Sequence, residues 1–323
     1  MYKLMLVVFI MHLLPGRQVS LGQQAPQAYF DLAKKADSLY QAKAYQEAVR
    51  AYTAAFRVNN WKGYVPDLYN AARAWAQVSN LDSAFRKLDR VVTYSDIGDL
   101  KKYRAFTTEP AFGPLKKDKR WQQLLTKADT RLNNPLVQQL DTIFREDQKY
   151  RLMVDSVAKA YGFESKEMQS LWHKMAAVDS MNLIKVKEIL DKHGWLGAQE
   201  VGQQGNTTLF LVIQHADPAT QAEYLPMMRE AVKKGDASAG SLALLEDRVA
   251  LGQGKKQIYG SQIGRDPESG EHYVLPLEDP ENVDKRRAAV GLQPLAEYVK
   301  RWGISWDAEA HKKQQAGSRG DTH

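Results

Sequence analysis

The chain has 323 residues, 44% hydrophobic and 26% charged, with 45 basic and 38 acidic side chains giving a formal charge of +7. A chain of this size and composition can bury a sizeable core in about two domains, which excludes wholesale disorder. It has no cysteine, which excludes disulfides, thiolate chemistry and lipidation of an N-terminal cysteine; its basic excess is dispersed among acidic residues, so no nucleic-acid patch is expected.

At the N-terminus, Lys3 precedes an apolar stretch from Leu4 to Leu14, Pro15 and Gly16 break it, and Ser20-Leu21-Gly22 supplies a small-x-small cleavage pattern. Residues 1–22 therefore read as a secretory signal peptide. The apolar stretch is far short of the roughly 20 residues that span a bilayer, and no later segment is long enough. The expectation is an exported protein, periplasmic or extracellular, without a membrane span. Lacking disulfides, it must rest on its core.

From Phe30 the pattern predicts helical hairpins. Ala36 is followed by Tyr40, Tyr45, Ala48, Tyr52 and Ala55; Ala72 is followed by Trp75, Ala84, Leu88 and Val91. The steps from Ala36 to Ala72 and from Ala48 to Ala84 are equal, as in a stacked helix-turn-helix array whose small residues let helices cross closely. Residues 26–96 resemble tetratricopeptide repeats, and a degenerate closing segment around Phe112 to Leu125 extends the array to about residue 130. The resemblance implies a protein or peptide partner along a concave face that includes Ala33, Asp37, Tyr40, Tyr69 and Arg73. That face lacks the basic and amide residues that clamp a C-terminal carboxylate, and a purely structural role stays open beside the partner-binding one.

Asn133-Asn134-Pro135 marks a boundary, with Asn134 capping a helix that begins at Pro135. A second, α-rich domain is expected over 135–307. In its first helix the stripe Leu136, Leu140, Ile143, Phe144 runs into Asp147 and Arg151, next to Gln148. In the next long helix Leu171, Met175 and Val178 lead to Asp179 and Asn182, three apart on one face. Gly194 ends that helix, and Asn206 or Thr207 is expected to cap the next. Leu209 to Ile213 then lead into Gln214-His215-Ala216-Asp217, which places His215 on the apolar side, where an imidazole needs partners. Asp217 before Pro218 reads more readily as the N-cap of a helix ending at Gly235 than as a site residue. Arg248 lies at core spacing between Leu244 and Leu251; a buried guanidinium calls for a carboxylate, with Asp147, Asp179 and Asp217 as candidates. Two β-prone runs within 256–276 flank the turn residues 265–270 and predict a hairpin, with Tyr259 and Gln262 on opposite faces. Residues 308–323 read as a disordered polar tail. The fold class is mainly α: helical-hairpin repeats, then an α-rich domain carrying a β-hairpin.

Residues 135 to 307 resemble an uncharacterised bacterial domain family. The resemblance rests on Asp147-Gln148 with Arg151, Asp179 with Asn182, Gly194-Trp195, Gln214-His215-Ala216-Asp217, Asp247-Arg248, Tyr259-Gly260-Ser261-Gln262, and Asn282-Val283 with Arg286-Arg287; Ser261 stands where the family most often has threonine. It implies no activity.

No phosphate-binding glycine loop, nucleophile-elbow serine or zinc-protease helix is present. His215 and Asp217, two apart on a helix, point to different sides, so neither a metal nor a cofactor is expected. Three readings remain open. In one, a hydrolase-like or transferase-like enzyme uses His215 as acid or base, oriented by Asp217 or Asp179, with Arg248 or Arg151 holding an anionic group. In another, Asp147, Gln148, Arg151, Asn182, Arg248, Tyr259 and Gln262 grip a small polar or anionic ligand without catalysis. In the third, the polar residues only fix packing. All three require buried polar groups to satisfy one another, which predicts that His215, Arg248, Asp179, Asn182 and Gln262 converge.

Overall fold

A computed structural model describes residues 25–266 and 269–317. The leader at 1–22, Pro267 and Glu268 of the expected turn, and residues 318–323 of the tail lie outside the described residues.

The described chain is mainly α with one two-stranded antiparallel sheet, as its periodicity predicts. It divides into two compact units. One comprises Ala25–Phe144 with Gly197–Thr208, the other Arg145–Leu196 with Leu209 onward.

The first unit opens with α1 (Gln27–Gln41), α2 (Tyr45–Val58), α3 (Val65–Gln77) and α4 (Leu81–Tyr94). α1 packs on α2, α2 on α3, and α3 on α4. The alanines related by the repeat, Ala36 with Ala72 and Ala48 with Ala84, are all fully buried, so the small residues lie where helices meet closely. Tyr29, Tyr52, Phe56 and Leu68 fill the space between. α5 (Ile97–Tyr103) and short 3-10 turns lead to α6 (Lys119–Leu132), whose Trp121 stacks edge-on against Phe106. Asn134 then caps α7 (Pro135–Arg151), its Oδ1 accepting from the Leu136 N–H at 2.9 Å, as the Asn-Pro signal predicts. The division between units falls inside α7.

In the second unit, α8 (Val154–Tyr161) packs on the 28-residue α9 (Lys166–His193), which Gly194 ends at φ +70°. α10 (Ala198–His215), which belongs to the first unit up to Thr208, corrects one expectation. Asn206 and Thr207 lie inside this helix, and the break falls earlier, at Gly202 with φ 77° and ψ 167°. Only glycine suits that backbone, and a Cβ there would collide with the Arg131 guanidinium. α11 (Pro218–Lys234) and α12 (Ala239–Gly252) form the next pair, with Gly235 in the left-handed conformation after α11.

The hairpin is much shorter than the sequence suggests. β1 (Ile263–Arg265) pairs with β2 (His272–Val274), Gly264 facing Tyr273, whereas 256–262 is irregular, with only a Gln257–Leu277 bridge. The cause is side-chain competition: Asp247 on α12 accepts the N–H groups of Ile258, Tyr259 and Ser261 at 2.6 to 2.9 Å, so those donors are not available to a ladder. The expected alternation of Tyr259 and Gln262 across a strand is therefore replaced by a loop wrapped on a carboxylate. α13 (Val283–Ala289), α14 (Leu295–Val299) and α15 (Ala308–Gly317) complete the unit. α15 also corrects the expected disordered tail: residues 308–317 are helical, and His311 is buried.

Candidate functional site

The charges that interrupt the α7 stripe are a genuine interior feature. Asp147 is 2% exposed and Arg151 1%. Four residues apart, they share the helix face that carries Leu140 and Ile143. α9 brings Asp179 to the same place, and α10 ends there on His215, so three helices supply one cluster.

His215 Nδ1 lies 3.0 Å from Asp147 Oδ1. The same oxygen is 3.2 Å from Arg151 Nη1, and Asp147 Oδ2 accepts from the Gln148 amide at 2.6 Å. Arg151 Nη1 also donates to the Asp147 carbonyl at 2.6 Å, while Nη2 grips both oxygens of Asp179 at 2.9 and 2.8 Å. Arg151 thus ties two carboxylates together, and His215 leans on one of them. The Asp179 side chain is 23% exposed against 4% for His215, so the cluster reaches solvent at its Asp179 edge.

Electrostatics assigns the protons. Burial works to raise the Asp147 pKa, but His215, Arg151 and the Gln148 amide outweigh it and hold the carboxyl below its ordinary value. Burial raises Asp179 despite Arg151. Burial lowers the His215 pKa, opposed by Asp147 and aided by Arg151. At neutral pH Asp147 is therefore an acceptor only and the imidazole is neutral. Nδ1 must carry the hydrogen that faces Asp147, and Nε2 keeps its lone pair. This is the arrangement of a general base held by a carboxylate.

A second layer lies on α12 and the 256–262 loop. Arg248 donates through Nε to Gln262 Oε1 at 3.2 Å and through Nη1 to the Gln214 carbonyl at 2.8 Å, one residue before His215. Gln262 Nε2 donates to Ser261 Oγ, and Gln257 holds both backbone groups of Gln262. The expected carboxylate partner for Arg248 is replaced by neutral oxygens. Burial, with the charge of Arg151 adding, lowers its pKa to about 10. The C-terminal dipole of α10 offsets about 0.3–2 kcal/mol at best, against several kcal/mol for desolvating a guanidinium.

The expected site residues thus divide. Asp147, Gln148, Arg151, Asp179 and His215 meet directly; Arg248 and Gln262 join through Gln214. Asn182 is fully buried on α9, three residues beyond Asp179. Tyr259 belongs to the loop, donating its N–H to Asp247 and accepting from Arg287 Nη1 through its carbonyl at 2.7 Å. Asp217 corrects an expectation: it caps α11, accepting from the Ala219 and Thr220 N–H groups at 3.0 Å and from the Thr220 hydroxyl at 2.6 Å, so the carboxylate on His215 is Asp147. Sequence reasoning named Asp247 only within the Asp247-Arg248 pair of the resemblance and gave it no role, although its place three after Leu244 and four before Leu251 carries the same core-spacing signal as Arg248.

Asp147, Asp179 and His215 also bring metal-type ligand atoms within 4.8 Å of one another. Arg151 already sets a permanent positive charge against both carboxylates, and a dication there would face the guanidinium directly. The donor set therefore fits an ion-paired site better than a metal site. Two open pockets of about 720 and 710 Å³ lie in the first unit, and none of the cluster residues lines either.

No curated protein and no solved structure matches the chain. Residues 135–309 match a family of unknown function (DUF6624), and the chain belongs to that family.

Proposed function

We propose that this member of the DUF6624 family is an exported enzyme whose C-terminal domain uses His215 as general acid–base in a hydrolase-like or transferase-like reaction on a small polar substrate. The observation that carries the reading is the 3.0 Å contact between His215 Nδ1 and Asp147. Asp147 fixes the tautomer and stabilises the imidazolium that forms when Nε2 takes a proton. Arg151 and Asp179 hold Asp147 in place and do not themselves exchange protons with substrate. Water or a substrate hydroxyl serves as nucleophile, since the buried Ser261 hydroxyl already accepts from Gln262.

The first unit is read as a tetratricopeptide-like array that docks a protein or peptide partner. Its stacked hairpins support this, as does Arg73, which lies 4.6 Å from the centre of the Tyr40 ring on the expected concave face. Export rests on the leader sequence. A second reading, in which the polar cluster only fixes packing, is favoured by how little of His215 is exposed.

The test is turnover by the purified mature protein across ester, amide, phosphoester and glycoside substrates, with His215→Ala as control. The enzyme reading predicts a rate loss of about 10²–10⁴ in the variant. Undiminished turnover in His215→Ala would refute it; capture of a metabolite without turnover would favour a noncatalytic binding module.

A further inference from the structure

Arg248 differs from the other buried guanidiniums of its unit. Arg151 is paired with Asp147 and Asp179, and Arg287, although it donates to the Gln293 and Tyr259 carbonyls, lies in the field of Asp247 and Asp284. Arg248 is 7% exposed, and among the described residues its hydrogen bonds run to Gln262 Oε1 and the Gln214 carbonyl, both neutral. Its acceptors are themselves fixed, Gln262 by Ser261 and Gln257, and Gln214 by the end of α10. A guanidinium carries five N–H groups in a planar fork. With one on Nε and one on Nη1 engaged, one hydrogen on Nη1 and both on Nη2 remain for an oxyanion.

A second observation also points to a ligand. Gln148 Oε1 and Gln214 Oε1 are buried acceptors with no donor among the described residues. Gln148 donates to Asp147 through its amide nitrogen, and the Gln214 carbonyl accepts from Arg248. Buried amide oxygens require donors, which a ligand with hydroxyl or amino groups supplies.

We propose that the Nη1/Nη2 edge of Arg248 binds the oxyanion, carboxylate or phosphate, of a small hydroxyl- or amino-bearing substrate and holds it beside His215. The proposal rests on the acid–base reading for the identity of the bound molecule as substrate, but the anion site stands or falls by itself. Arg151 offsets one of the two carboxylate charges of Asp147 and Asp179, so the ligand's charge is held at the Arg248 fork and away from that group. Neutral His215 is left to act on the part of the molecule away from its charge.

The test is NMR titration of the full-length mature protein with acetate and with inorganic phosphate at constant ionic strength, following the Arg248 Nε–H signal. Binding is read from shifts because phosphate also stabilises proteins by exclusion from their surface. The expected dissociation constant is about 1 mM for the tighter of the two anions, and that anion identifies the substrate's charged group. Arg248→Lys should weaken binding at least about tenfold, since a point charge does not reproduce the fork. His215→Ala should leave it within about twofold, so loss of the acid–base reading and loss of the anion site give different results. Gln262→Glu supplies a variant that does not disturb the guanidinium: an internal counter-ion on Arg248 should abolish anion binding while the protein stays folded. No shift with either anion, or unchanged affinity in Arg248→Lys or Gln262→Glu, would overturn the proposal.

Discussion

Burial pushes the His215 pKa below its ordinary 6.5, and Asp147 recovers only part of the loss. Because the folded value lies below the unfolded one, the unfolded chain takes up this proton first as pH falls. The stability His215 contributes is therefore present above about pH 6.5 and lost as pH drops toward the folded value. Asp147, whose folded pKa is also depressed, acts in the same direction in a lower window, below about pH 3.8. Urea unfolding from about pH 5 to 8 should show this slope, and His215→Gln should flatten it; an unchanged slope would mean that the ring is not held neutral. Arg151→Met should cost about 3–5 kcal/mol by leaving the buried Asp147 and the half-buried Asp179 without their cation, measurable in the same unfolding experiment. Much of this site was legible, because Asp147 and Arg151 interrupt an apolar stripe and His215 follows one. Which carboxylate meets His215 was not. Asp147 and His215 lie 68 residues apart, so their meeting depends on how α7 and α10 pack, whereas Asp217 carried a local capping signal that the structure bears out.

At the scale of elements, carboxylates on helices decide what neighbouring backbone does. Asp247→Ala should release the N–H groups of Ile258, Tyr259 and Ser261, speeding their hydrogen exchange and costing about 1–3 kcal/mol for each donor left buried and unpaired. If those amides keep their protection, the loop is held by something other than Asp247. Asp217→Ala should cost about 1 kcal/mol as a lost N-cap, and His215 chemical shifts should stay where they are. Helices were read well from alternating stripes and caps, as Asn134, Gly194 and Gly235 illustrate. The hairpin was overextended because β-prone residues at 256–262 say nothing about an acceptor arriving from α12. The α10 break was misplaced because Asn206 and Thr207 look like caps, while the need for glycine at 202 comes from Arg131, far away in sequence.

For the whole molecule, the two units exchange segments of chain: α7 and α10 each contribute to both. The family match begins at 135, at the start of α7, whereas compactness divides that helix near 145. A fragment of residues 135–317 should therefore keep exchange protection over 145–196 and 209–317 and lose it over 135–144 and 197–208. Uniform loss would show that the second unit does not fold without the first. The repeat of buried alanines was visible from equal spacing, but segments shared between units have no sequence period to announce them. Export remains an expectation of the leader, checked by the N-terminal mass of protein from the native cell; a retained Met1 would contradict it. The claim on which the functional account depends is the neutral, Asp147-oriented imidazole in the intact chain. Nitrogen NMR of His215 in the mature protein, titrated from about pH 5 to 8, tests it directly. The account predicts a hydrogen on Nδ1, a bare Nε2 and a pKa below 6.5 that falls further in Asp147→Asn. A hydrogen on Nε2 in the neutral ring, or a pKa above 6.5, would contradict it.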